Sequence, residues 1–295
     1  MGEAGAAWGP AEKEAWWNRQ TIQRSYADDV LSRLNALPSD KFSLEQYGAL
    51  SADPAKYPLM RVLSKPWKDN NPTILVTGGV HGYEPSGITG ALRFLEEVAP
   101  QFADKINFVV YPCVSPLGYE INHRWNRNAD DPNRNFHPGG NAEEARQLMT
   151  SVESLQKHFR AAVDLHETNN RDKELTLERR ARDGQQPEPD DTYIPEGFYL
   201  VVADKADVAL GREVIEAVRK VTPICIDKEV LGYPSDGGII VIDDLHTLCQ
   251  DFARLHSDVA MTTEIYPDKC SEREAEDAQL ATIRTAIDFA LRRQP

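Results

Sequence analysis

Five short apolar runs, each followed by a polar or amphipathic stretch, constrain this chain more than any other feature. They are "TILVTGG", "INFVVYPCVSP", "RAAVDLHE", "GFYLVVAD" and "VAMTTEIY". Runs of this length and β-branched content read as strands buried on both faces. Between them lie segments with helical spacing: 85–98, 142–158, 205–221 and a closing stretch 272–293. Strands alternating with helices predict an α/β fold, a mixed and mostly parallel twisted sheet with helices on both faces. "KFSLEQYGAL" and "PLMRVLSK" read as an added antiparallel pair. Residues 11–37 read as helical, because Pro10 suits a helix start and Tyr26, Val30 and Leu34 share a face. The expected organisation is an N-terminal helical segment, 1–40, packed on one main domain, 41–295. No internal repeat is present. The polar stretch 169–195 is the one long insertion, and it reads either as a lid or as a solvated surface loop.

The chain has 295 residues and a net charge of −14. That charge argues against nucleic acid or an anionic membrane as partner. No apolar run is long enough to span a bilayer, and the N-terminus lacks the pattern of a signal peptide. The four cysteines, at 113, 225, 249 and 270, are scattered, and they read as reduced thiols of a cytoplasmic protein. Nothing in the sequence fixes the oligomeric state.

The chemistry concentrates where the strands end. "VTGGVHGYEPSG" places His81 and Glu84 on a glycine-rich turn entering a helix. Open α/β sheets bind ligands at the carboxyl ends of their strands. Imidazole and carboxylate are both zinc ligands. The alternative for this pair is a capping glutamate beside an incidental histidine. His166 ends a second apolar strand, and Asp164, two residues earlier, projects from the same face as a candidate carboxylate support for that histidine. Two histidines and a glutamate from separate strand ends have the composition of a catalytic zinc site. The segment 115–136, "SPLGYEINHRWNRNADDPNRNF", is dense in Arg and Asn, with arginines at 124, 127 and 134. Such a segment suits carboxylate binding and oxyanion stabilisation, or else a salt-bridged surface loop. Asp130 and Asp131 read as caps of the turn before Pro132.

Taken together, "GGVHGYEPSG", "SPLGYE", "RWNRNADDPNRNF", "DLHE", "GYPSDGG" and "TTEI" resemble the M14 family of zinc metallocarboxypeptidases, in the family's order. The resemblance implies one Zn2+ per chain, held by His81, Glu84 and His166. It implies Glu264 as general base and acid towards a zinc-activated water, and Arg127 stabilising the oxyanion. Asn133 and Arg134 would grip the substrate's free carboxylate, and Tyr233 would close over it. The implied reaction is hydrolysis of the C-terminal amide bond of a peptide. The short interval between Glu84 and His166, together with "DLHE", also resembles the aspartoacylase and succinylglutamate desuccinylase branch. Those enzymes are zinc-dependent deacylases of N-acyl amino acids. A binding protein for carboxylate-ended ligands is a third reading. The residue that selects the substrate side chain stays open between Ile240 and Gln250, and Glu167 could meet a cationic substrate group or pair with an arginine.

Overall fold

The computed structural model describes residues 5–292. The chain starts with α1 (Pro10–Trp17), then a π-helical turn (Ala27–Leu31) running into α2 (Ser32–Asn35). The single helix expected over 11–37 is therefore broken. The backbone N–H groups of Gln23 and Arg24 donate to the carbonyl of Glu120, and Tyr26 N–H donates to its carboxylate at 3.0 Å. These bonds hold the connection against the main body instead of letting it continue as helix. Trp16, Tyr26, Val30 and Leu34 are buried in the core below.

The main body continues as β1 (Phe42–Ala49), β2 (Pro58–Ser64), β3 (Thr73–Gly78), α3 (Pro85–Arg93), β4 (Asn107–Tyr111), α4 (Pro116–Glu120), α5 (Glu143–Ser154) and β5 (Ala161–Glu167). It is completed by α6 (Asp172–Arg182), β6 (Tyr199–Val202), α7 (Val208–Val218), the hairpin β7 (Glu229–Val230) and β8 (Tyr233–Pro234), β9 (Ile239–Val241), α8 (Cys249–Leu255), β10 (Ala260–Ile265) and α9 (Glu272–Arg292). Eight strands form one sheet in the order β1-β2-β4-β3-β5-β10-β6-β9. The central strands β4, β3, β5 and β10 run parallel, and β1, β2 and β6 add antiparallel pairings. β9 was not apparent in the sequence; its three residues pair parallel to β6 at the sheet's edge.

Side-chain alternation divides the core in two. Ile74, Val76, Phe108, Val110, Val163 and Leu165 pack on one face under residues of α3, α7 and α9. Leu75, Val109, Tyr111, Ala162 and Ala260 pack on the other, under α5 and α8. That second face turns polar at the carboxyl ends of the strands. Thr77 and Thr262 each pair in register with Asp164, and Glu264 pairs with His166. The periodicity that buries the apolar half of β5 thus lifts Asp164 and His166 onto the same face.

Candidate metal centre

The turn after β3 carries His81 and Glu84. Its tightness rests on glycine: a Cβ on Gly82 would fall on the Gly118–Tyr119 peptide. Glu84 precedes Pro85, which keeps it out of the helical region (φ −99°, ψ 82°), and α3 begins at the proline. The carboxylate is thereby held at the helix entrance and not along the helix.

His81, Glu84 and His166 are all buried, and one ligand atom from each lies within 4.8 Å of the others. Nδ1 of His81 is 2.8 Å from Glu84 Oε1, and Nδ1 of His166 is 2.8 Å from Glu84 Oε2. Each Nε2 is engaged elsewhere. That of His81 donates to Asp131 Oδ1 at 3.0 Å, and that of His166 donates to Asp164 Oδ2 at 2.9 Å. A proton fixed on Nε2 leaves Nδ1 as the lone-pair donor, so both imidazoles present a ligating nitrogen towards Glu84. Asp164 is itself held by the Thr77 hydroxyl at 2.6 Å. Two borderline nitrogens, one carboxylate oxygen and carboxylate-supported imidazoles fit a divalent transition metal.

Asp131 does more than the capping expected of it. It accepts from the Asn133 backbone N–H at 2.9 Å, which is the cap, and also from His81 and from Arg124 Nε at 2.8 Å. Burial pushes Asp131 up, but Arg124 and His81 outweigh it and hold it well below the usual carboxylate range. Burial likewise raises Glu84, and the two imidazoles pull it far below its ordinary value. His166 is lowered by burial but carried well above its ordinary value by Asp164 and Glu84.

In front of these groups is a cavity of about 440 Å³. Glu264 projects into it from β10, and its Oε2 accepts from the Thr168 hydroxyl at 2.7 Å. The Thr168 hydroxyl also meets the buried Tyr199 hydroxyl at 2.8 Å. Burial pushes Glu264 up to about 8, against the pull of His166. A dication at the neighbouring ligands acts in the opposite sense and favours the carboxylate. Asn133 and Arg134 line the cavity as well. Asn133 Oδ1 accepts from Cys249 N–H at 2.8 Å, which fixes the amide. Arg134 donates to the Asn133 carbonyl at 2.7 Å and is otherwise open to solvent, with no ion pair within 4.0 Å among the described residues. Tyr233 stands at the rim, its hydroxyl donating to Asp244 at 2.8 Å.

Arg127 is not in the cavity. Its guanidinium pairs with Glu14 of α1 at 2.8 Å and stacks over Trp17. The expectation that Arg127 stabilises the oxyanion is corrected: the arginine beside the ligands is Arg124, 4.0 Å from Glu84 Oε1. Spacing within an arginine-rich loop could not separate the two, because Arg127 is claimed by a helix more than a hundred residues upstream. Of the two candidates for side-chain selection, Ile240 is fully buried and lies off the cavity lining. Gln250 lines the cavity, 1% exposed, with neither amide atom hydrogen-bonded among the described residues. Glu167 is buried and caps α3, accepting from Ser86 N–H at 2.5 Å. The insertion 169–195 supplies a wall of the cavity through Leu175, Thr176 and Arg179 of α6 and through Tyr193 to Pro195.

Solved structures share this architecture. One, from Shewanella amazonensis and described as a candidate metallopeptidase, superimposes with a TM-score of 0.69 at 20% identity, covering 92% of this chain and 98% of its own. A metallo-carboxypeptidase from Burkholderia cenocepacia matches with a TM-score of 0.61 at 13% identity, over 88% of this chain and 69% of its own. The chain has the metallocarboxypeptidase fold. Bovine thrombin-activatable fibrinolysis inhibitor, solved with tick carboxypeptidase inhibitor, matches over 94% of this chain and 99% of its own, with a TM-score of 0.63 at 14% identity. Residues 70–188, which include all three candidate ligands, match the model of the succinylglutamate desuccinylase/aspartoacylase catalytic domain. No curated protein matches the sequence.

Proposed function

We propose that this protein is a zinc-dependent hydrolase that cleaves the amide bond next to a substrate's free carboxylate. The leaving group in this reading is the C-terminal residue of a peptide. The observation that carries it is convergence: three ligating groups, an acid facing them and an uncommitted guanidinium border one cavity. His81, Glu84 and His166 would hold the zinc, which supplies Lewis acidity and a water acidified towards pH about 7. Glu264 takes the proton of the attacking water and returns it to the leaving amine, with the Thr168 hydroxyl orienting its carboxylate. Arg124, fixed by Asp131, faces the charge that develops on the carbonyl oxygen. Asn133 and Arg134 receive the substrate carboxylate, and Tyr233 covers it from the rim.

A second reading is favoured by the match over 70–188: the same residues acting on an N-acyl amino acid, in which an acyl group replaces the rest of the peptide. Both readings place the substrate's carboxylate at Arg134. The four cysteines are unpaired, which supports a reducing, cytoplasmic setting. Replacing Glu264 by Gln tests the mechanism. Metal content should stay at the wild-type level while turnover falls by about 10²–10⁴. Turnover within a few-fold of wild type would move the base elsewhere.

A further inference from the structure

α6 walls the cavity, yet its own sequence does little to keep it there. It has 11 residues, and only Leu175 is buried. A helix so short is marginal in water, so its place depends on what it leans on. Some of its ion pairs stay inside the insertion: Arg180 pairs with Glu188 at 3.1 Å and with Asp191 at 3.0 Å, and Arg182 pairs with Asp183 at 2.8 Å. Among the described residues, hydrogen bonds and ion pairs tie α6 to residues outside the insertion at three places. In the first turn, Asp172 accepts from the Tyr83 hydroxyl and lies 3.9 Å from Arg124. Further along, Glu178 meets His123. In the last turn, Arg182 donates to the Ala129 carbonyl at 2.9 Å, and its own carbonyl accepts from Trp8 N–H at 2.7 Å.

The middle tie is built from a buried group with both ring nitrogens engaged. His123 is 4% exposed. Its Nδ1 accepts from the Trp125 backbone N–H at 3.1 Å, so the ring proton sits on Nε2, which donates to Glu178 Oε2 at 3.1 Å. Burial lowers the imidazole against the pull of Glu178, in keeping with this neutral form. The ring also packs against Trp16 of α1, with centroids 5.0 Å apart, and against Trp125 at 5.1 Å. The next residue, Arg124, is fixed by Asp131 and lies 4.0 Å from Glu84. Two adjacent residues of one loop thus hold the cavity's wall and stand beside the candidate ligands.

We propose that His123 is a positioning residue of the candidate site: through Glu178 it seats α6 against the loop that carries Arg124, and so sets the width of the cavity that receives the substrate's carboxylate. The link to substrate rests on the reading above for where that carboxylate binds. A histidine that only filled the core would act through its packing, and its bond to Glu178 would be dispensable. The bond and the packing can be separated, because Glu178 is 28% exposed and stands outside the aromatic cluster.

The experiment is amide hydrogen exchange on the zinc-loaded protein, paired with calorimetric titration of butyrate as a plain carboxylate probe. Neither needs turnover. The proteins are wild type, Glu178→Ala, His123→Ala and His123→Gln. Glu178→Ala removes the bond and leaves the aromatic packing, so it serves even where His123→Ala fails to fold. Both alanine variants are expected to exchange faster across α6 by about tenfold or more, the size of a lost charge-assisted hydrogen bond. Exchange in β3 and β5 and the zinc content are expected to match wild type. Butyrate is expected to bind about threefold or more weaker. His123→Gln, which keeps an N–H donor for Glu178, is expected to recover part of both effects. Unchanged α6 exchange in Glu178→Ala would overturn the proposal. So would exchange that quickens equally in α6, β3 and β5, the mark of a histidine that only stabilises the fold. A loosened α6 with butyrate affinity intact would also overturn it. A loosened α6 with weakened butyrate, in a protein that hydrolyses no amide, would sink the proposed reaction and leave the role of His123 standing. Amide hydrolysis in a protein whose α6 is unmoved by these variants would do the reverse.

Discussion

At the scale of the residue, two arginines three positions apart have different fates. Arg124 is fixed by Asp131 beside the candidate ligands, while Arg127 is paired with Glu14 and stacked on Trp17. Arg124→Ala is expected to lower kcat/KM by about 10²-fold or more, the usual loss for an oxyanion donor. Arg127→Ala should leave kcat/KM within about twofold and cost no more than about 1 kcal/mol, because a part-exposed ion pair contributes little. Steady-state kinetics of the two variants decides this; the opposite order would restore Arg127. His166→Ala should lose the bound metal when purified protein is analysed for zinc, since a ligand and its Asp164 support go together. Full zinc occupancy would discard the ligand set. The candidate ligands stood out in the sequence because each lies at or just beyond the end of an apolar strand, and strand ends are where such a fold exposes its chemistry. The choice between the arginines was not legible, because it depends on where α1 lies. Asp131 was half-legible: its place before Pro132 announces a cap, but its second lone pairs meet a histidine fifty residues away.

At the scale of the element, α5 anchors the loop that carries Arg124, Asp131 and Arg134. Glu144, in its first turn, is 1% exposed and accepts from Asn126 Nδ2 at 3.1 Å. Burial raises Glu144 to about 7, opposed in part by that hydrogen bond. An acid with a raised folded-state pKa stabilises the fold below its ordinary value and loses that contribution as pH rises through 7. The loss amounts to about 3 kcal/mol at most, at about 1.4 kcal/mol per pH unit. Glu144→Gln keeps an acceptor for Asn126 and removes the titration. Its stability relative to wild type should therefore improve from pH 5 to about pH 7 and level off by pH 8 in chemical denaturation. Parallel profiles would show that burial does not raise Glu144 in the folded protein. The sequence announced most of the strands and the major helices, because their apolar periodicities are long. It did not announce α6. That helix is polar apart from a few positions, only Leu175 is buried, and its place is set by the cavity it walls.

At the scale of the whole molecule, one sheet does two jobs. One face is apolar along its length under α3, α7 and α9. The other is apolar only as far as Ala162 and Ala260, and then carries Asp164, His166, Thr262 and Glu264. The candidate site is the polar end of an otherwise ordinary core face, which is why the fold and the candidate ligands were readable together from the same strands. The sequence did not disclose the cavity's contents, because its lining comes from β5, β6, β8, β10, α6, α8 and the loops after β3, β4, α6 and β9. No helix among the described residues is long and apolar enough to cross a membrane.

The most direct test of the account is amino-acid release by the zinc-loaded protein. It would use short peptides with free or amidated C-termini, N-acyl amino acids, and a parallel sample treated with chelator. The account predicts cleavage of a substrate with a free carboxylate, little on its amidated counterpart, loss with chelator and recovery when zinc is restored. Cleavage that ignores the chelator, or no cleavage of any carboxylate-bearing substrate by protein with zinc bound, would contradict it.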